Sequence, residues 1–213
     1  MTTLAIMKDR MARELRRSNI TTFIAEAITT AIGAYQDERF FFNEKRTPTF
    51  NTGASQEFYD STDLADLNNL LKIDYVKLIV GNTVYDLLPD RPKEIEGASS
   101  NSTSTGQPGW YVWYGQKMRL YPIPAEAGWV VRVAGLYVYA APASDGEASN
   151  FWMTTAERLI RSRAKYELAT HVLRDTELAQ IMTANTEEAF RQLQERTNQL
   201  TQTGGSRVRA MSY

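Results

Sequence analysis

The 213-residue sequence contains no cysteine and only one histidine, His171. The missing thiol excludes disulfides, thiolate zinc sites, iron–sulfur clusters and a cysteine nucleophile, and it fits a reducing compartment. One histidine leaves no partner for a histidine metal site and no Ser/His/Asp or Cys/His set. It falls near the end of a predicted helix, where a ring cation would meet the helix dipole, and its reading is structural. No glycine-rich strand–turn–helix motif is present to cradle a phosphate. No apolar run approaches the ~20 residues of a membrane span. Lys8-Asp9-Arg10 comes too early for a signal peptide. An excess of one charge is lacking too: 24 basic and 25 acidic groups give a net charge of −1. A dedicated duplex-DNA binder needs a surplus of Lys and Arg, so the balance argues against that class. Asp60, Asp63 and Asp66 are close in sequence but lack the loop glycine and terminal glutamate of an EF-hand, and they read as a solvated loop. No metal and no cofactor is expected, and no enzyme.

Proline is absent outside Pro48 to Pro142, and nine of twelve glycines, eight of eleven tyrosines and three of four tryptophans fall between Asn43 and Asn150. Because proline breaks helices, its absence at both ends permits long ones. Residues 1–42 carry +1, residues 43–150 carry −4 and residues 151–213 carry +2, which sum to −1. The expected fold class is α+β: a four-helix bundle built from both chain ends, with an inserted antiparallel β-sandwich or small barrel. The expected division is 1–42 helical, 43–150 β-rich, 151–202 helical and 203–213 an extended tail.

Leu4, Met7, Met11 and Leu15 repeat at helical steps. The other side of that helix is basic, and Lys8, Arg13, Arg16 and Arg17 are candidates for inter-subunit contact. Ile20 to about Arg39 reads as a second, more apolar helix. Thr154 and Glu157 have the spacing of a capping box. From there Leu159, Ile160, Ala164, Leu168 and Val172 mark a third helix. Leu178 to Leu200 marks a fourth, after Arg174-Asp175-Thr176. None could bury its stripe alone, so the four should pack together.

In the middle, Leu71–Val80 and Thr83–Leu88 flank Gly81-Asn82, while Trp110–Tyr114 and Lys117–Tyr121 flank Gly115-Gln116. Both read as tight hairpins. Gly128–Tyr139 reads as a strand that is central or covered on both sides, and Phe50 and Phe58-Tyr59 as short ones. Trp110, Trp113 and Trp129 form an aromatic cluster. Such rings can stack on sugars or unpaired bases, which would make a carbohydrate- or single-strand-binding module. Aromatics also dominate sheet cores and interfaces, and packing is the favoured reading of this cluster. The Ser/Thr/Gly stretch from Gly97 to Gly109 is expected as a loop touching a neighbour.

Several blocks resemble the adaptor, or head-to-tail connector, proteins of tailed bacteriophages, in the style of short-tailed phage adaptors and the tail tubular protein A group. They are Ala27-Ile28, Ala31-Ile32, Tyr35, Arg39-Phe40-Phe41-Phe42-Asn43-Glu44, Phe50-Asn51-Thr52 and Gln56-Glu57-Phe58-Tyr59. Further along come Tyr114-Gly115-Gln116, Arg119-Leu120-Tyr121-Pro122-Ile123-Pro124, Trp152, Thr154-Thr155-Ala156-Glu157 and Leu159 to Lys165. The resemblance implies a structural virion protein at the head-to-tail interface, made in the bacterial host cytoplasm. It implies a homo-oligomeric ring, usually of twelve subunits, with portal protein above and a tail or nozzle protein below. Genomic DNA would pass through without specific binding, and no membrane is involved. It also implies a C-terminal tail that reaches the portal. In this chain Arg207, Val208, Arg209, Met211 and Tyr213 would carry that contact, the arginines on carboxylates and Met211 and Tyr213 in apolar pockets.

Overall fold

A computed structural model describes residues 2–17, 19–90 and 104–201. It is mixed α and β, with four α-helices and a curled, half-barrel sheet. The chain divides into two compact units: residues up to Phe42 together with those from Ala140 onward, and residues Asn43–Tyr139.

The helical unit contains α1 (Leu4–Glu14), α2 (Thr21–Gly33), α3 (Glu157–Glu167) and α4 (Thr176–Thr201). Thr3 caps α1 by accepting a hydrogen bond from Ile6 N, 3.3 Å, and the helix buries Met7 and Met11. α2 is apolar enough to bury Ile24, Ala27, Ile28, Ala31 and Ile32. It stops at Gly33, short of the predicted end near Arg39, and Tyr35 and Gln36 close tighter turns onto Ile32 O and Gly33 O. That frees the aromatic run that follows. Phe42 stacks on Phe151 at 5.4 Å, and Phe40 and Phe42 meet the Trp152 ring edge-on at 6.0 and 5.0 Å. α3 packs against both α2 and α4, and α1 against α2 and α3.

Two helix boundaries differ from the sequence reading. The capping box does not form: α3 begins at Glu157 with Ala156 at the cap position and no side-chain cap bond. The Thr154 hydroxyl instead donates to Asn150 O, 3.0 Å. Asn150 organises this turn, its side chain donating to Ala140 O and accepting from Trp152 N. The predicted third helix does continue beyond Glu167, but as a π-helical segment, Leu168–Leu173. It ends at Arg174 with φ 54°, a left-handed residue that turns the chain into α4.

The β unit holds β1 (Glu44–Lys45), β2 (Thr49–Asn51), β3 (Phe58–Tyr59), β4 (Leu70–Val80), β5 (Thr83–Pro89), β6 (Thr105–Gly106), β7 (Trp110–Tyr114), β8 (Lys117–Tyr121), β9 (Ile123–Pro124) and β10 (Val130–Tyr137). Eight of them form one sheet ordered β1-β10-β4-β5-β7-β8-β3, with β2 also on β10, and β6 and β9 form a small second sheet. β10 is an interior strand, with β4 on one side and β1 and β2 on the other, as its apolar composition predicts. The pairing is not wholly antiparallel, since β5 meets β7 in parallel at Leu88–Trp110 and β6 meets β9 in parallel. The two hairpin turns are two residues long. Gly81 has φ 58°, and Gly115 and Gln116 have φ 57° and 61°, the positive values that tight hairpins require. One face carries the core: Tyr59, Leu67, Val76, Leu78, Leu87, Tyr111, Met118, Leu120, Val131, Val133 and Tyr137.

Candidate interaction surfaces

The polar groups of the helical unit are largely committed to the fold. Glu14 at the end of α1 accepts from Arg161 at 2.8 Å and pairs with Lys165. Glu157 pairs with Arg10 at 2.8 Å and Arg161 at 3.4 Å. This five-charge network ties α1 to α3. His171 is exposed in the π-helical segment, 3.4 Å from Glu167. A cleft of about 370 Å³ lies where that segment meets α4, lined by Tyr166, Thr170, Arg174, Asp175 and Thr183 among others. Asp175 there accepts from Leu178 N at 2.9 Å, which caps the first turn of α4.

The basic face predicted for α1 separates into two groups. Lys8 pairs with the exposed Asp145, 2.6 Å, and Arg10 with Glu157. Arg13, Arg16 and Arg17 remain exposed. Arg13 Nε donates to Asp9 O, 3.3 Å. Arg16 lies beyond the helix end with φ 51°, and neither it nor Arg17 makes an ion pair among the described residues. These three form an exposed basic end to the helix.

The three tryptophans do not share a surface. Trp113 and Trp129 are partly buried and pack against the sheet core. Trp110 is exposed on the opposite face of β7, its ring 6.3 Å from that of Tyr121. The Asp60–Asp66 loop is held by its own side chains. Asp63 accepts from Gln56 Nε2 and Asp60 N, Asp60 from Thr62, and Asp66 from Lys45. Its hydrogen bonds from Thr62 hold the Asp60 carboxyl below its ordinary pKa. Residues 207–213 and most of the Gly97–Gly109 stretch lie outside the described residues.

The sequence reading missed the outward side of β5. Val84, Asp86 and Leu88 alternate onto it, and Leu88 is the direct neighbour of Trp110. Further along β7, Tyr114 lies on the same side, edge-on to Phe58 at 6.4 Å. Arg119, the direct neighbour of Phe58, is buried there with its Nε 2.6 Å from Glu57 and its guanidinium over the Phe58 ring. The signal was available: residues 84, 85, 87 and 88 are all apolar, which makes both faces of the strand apolar. A strand of that kind has two sides to cover.

No curated protein matches the chain. A family model described as SU10 adaptor protein matches residues 2–210, and the chain belongs to that family, consistent with a phage head-to-tail adaptor.

Proposed function

We propose, from membership of the SU10 adaptor family, that this structural virion protein assembles as a ring between the capsid portal and the tail and forms part of the conduit for DNA. The observation that carries the reading is the family match over residues 2–210. The ring has twelve copies. The helical unit is a four-helix bundle on the portal side, and the β unit meets the next tail component. The C-terminal tail docks on the portal through Arg207, Arg209, Met211 and Tyr213.

Three features support this. A net charge of −1 suits a passage that must not grip phosphate. The exposed arginines of α1 and the apolar outward side of β5 are two different surfaces, as a head-to-tail ring contact needs. The tryptophan platform of the sugar- or single-strand-binding reading does not share one face, since Trp113 and Trp129 are on the core side. The test is to mix the protein with its cognate portal and weigh the products by native mass spectrometry. A stoichiometric complex is expected, and its absence would overturn the reading. Truncation after Gly205 should weaken portal binding by about tenfold or more, 1.4 kcal/mol. Unchanged affinity at physiological salt would remove the tail from the mechanism.

A further inference from the structure

We infer that the outward side of β5, with Trp110 beside it, receives the basic end of α1 from a second copy of this chain. The inference rests on the ring proposed above and names the surfaces that would close it.

The receiving surface is unusual for an exposed sheet face. Val84 is 54% exposed, Leu88 58%, Trp110 42%, and Tyr114 and Phe58 39% each. They fall into two areas: Val84, Leu88 and Trp110 where β5 meets β7, and Tyr114 with Phe58 beyond the buried Val112 and Arg119 of the same side. The first is on the order of 250 Å² of mostly apolar surface, about a third of one side of a standard protein interface. The β4–β5 ladder runs from Val76–Leu87 to Val80–Thr83, and β7 touches β5 only at Leu88 and Pro89. Among the described residues no strand covers the other edge of β5 from Thr83 to Leu87.

Charge selects the occupant. Asp86 sits between Val84 and Leu88 on this side, its side chain 74% exposed and, among the described residues, paired only with Lys77 at 3.5 Å. Such an exposed pair is worth little and exchanges readily for a better one. Two β5 surfaces laid face to face would set Asp86 against Asp86, which disfavours a symmetric contact. Arg13, Arg16 and Arg17 offer the complementary chemistry. A guanidinium can pair with Asp86 while its flat face lies on the Trp110 ring. Tryptophan and arginine together are also the residues most enriched at the energetic centres of interfaces. Three of the basic strand residues are already paired: Lys45 with Asp66, Lys117 with Asp60 and Arg119 with Glu57. Each copy therefore presents one donor end and one acceptor face. That is a heterologous contact, which repeats from copy to copy until the ring closes.

The absence of cysteine makes a direct test simple. Chains carrying Arg16→Cys together with Asp86→Cys are assembled on the cognate portal and oxidised gently. Both positions are exposed, so folding should be unaffected. A ladder of disulfide-linked oligomers is expected, with none from an Asn198→Cys/Asp86→Cys control. Native mass spectrometry of the unoxidised sample reads ring formation separately. If no complex with the portal forms, the adaptor reading fails and takes this inference with it. If the ring forms without a ladder, or only an intrachain disulfide appears, the inference alone is overturned. Charge reversal gives a second reading. Arg16→Glu/Arg17→Glu should reduce ring formation at least tenfold, and Asp86→Arg in the same chain should restore it. Reversal without effect would also overturn the inference.

Discussion

Gly135 lies within the interior strand β10, where a side chain would normally be welcome. Its pairing with β4 is irregular: Ala134 faces Tyr75, but Gly135 faces Ile73, so one residue of β4 bulges out. That bulge presses the two backbones together. A Cβ added to Gly135 would overlap the Lys72 carbonyl oxygen outright and lie 3.1 Å from Lys72 C and 3.2 Å from Ile73 Cα. The obstacles are backbone atoms of the neighbouring strand, not side-chain ends that can swing aside. Relief requires the β10–β4 ladder to part by roughly an ångström, with strained or broken hydrogen bonds on both sides. Overpacking usually costs 1–3 kcal/mol, and an immovable obstacle puts Gly135→Ala at the top of that range, about 3 kcal/mol. At 2–4 °C per kcal/mol for a chain of this size, the melting temperature should fall by roughly 6–12 °C. Gly109→Ala is the matched control in the same unit. Its added Cβ meets nothing within 4 Å, and its φ is not in the left-handed region. The control should stay within about 0.5 kcal/mol of the parent. Denaturant unfolding of the two variants makes the comparison. A Gly135→Ala protein as stable as the control would refute the argument that this glycine is required by close approach.

Trp152 is fully buried among Phe40 and Phe42, so Trp152→Ala should cost about 3–5 kcal/mol by urea unfolding, and a loss under 1 kcal/mol would contradict the packing. Burial holds the Tyr137 phenol well above its ordinary pKa, with Asp66 adding in the same direction, and burial also raises Tyr59 and Tyr111. The fold favours the neutral ring, so this stability is intact below pH ~10 and is lost as pH rises through the folded-state values. The tyrosinate absorbance of the parent and of Tyr137→Phe should coincide up to about pH 11, and a missing titration step near pH 10 would refute the shift.

The local features legible in the sequence were those with a short-range cause. Gly81-Asn82 and Gly115-Gln116 mark their hairpins because positive φ is cheap at few residue types, and the structure puts positive φ at Gly81, Gly115 and Gln116. The α1 stripe through Met7 and Met11 follows from helical spacing, and both are fully buried. What escaped was decided by tertiary competition. Thr154 and Glu157 have the capping spacing, but Asn150 O claims the threonine and Arg10 and Arg161 claim the glutamate. Lys8 reads as part of an unpaired basic stripe, but Asp145, 137 residues away, pairs with it at the surface. The parallel junction of β5 with β7 joins strands from different hairpins, and no turn residue announces such a pairing. Gly135 could have been read: a glycine inside a continuous apolar strand commonly marks a bulge or a close backbone approach.

The way the β unit begins and ends has a consequence for how such a protein can be rebuilt. Its first strand and its last are hydrogen-bonded neighbours, with Glu44 opposite Leu136, Lys45 opposite Gly135, and Tyr137 N donating to Asn43 O at 2.9 Å. Antiparallel partners stand about 5 Å apart, so the polypeptide leaves and rejoins the helical unit through one narrow doorway. Ninety-seven residues can therefore be treated as a cassette, excised and replaced by a few linker residues between Phe42 and Ala140, or exchanged for another module with closely spaced ends. A lineage could vary the inserted unit while leaving the helices unchanged.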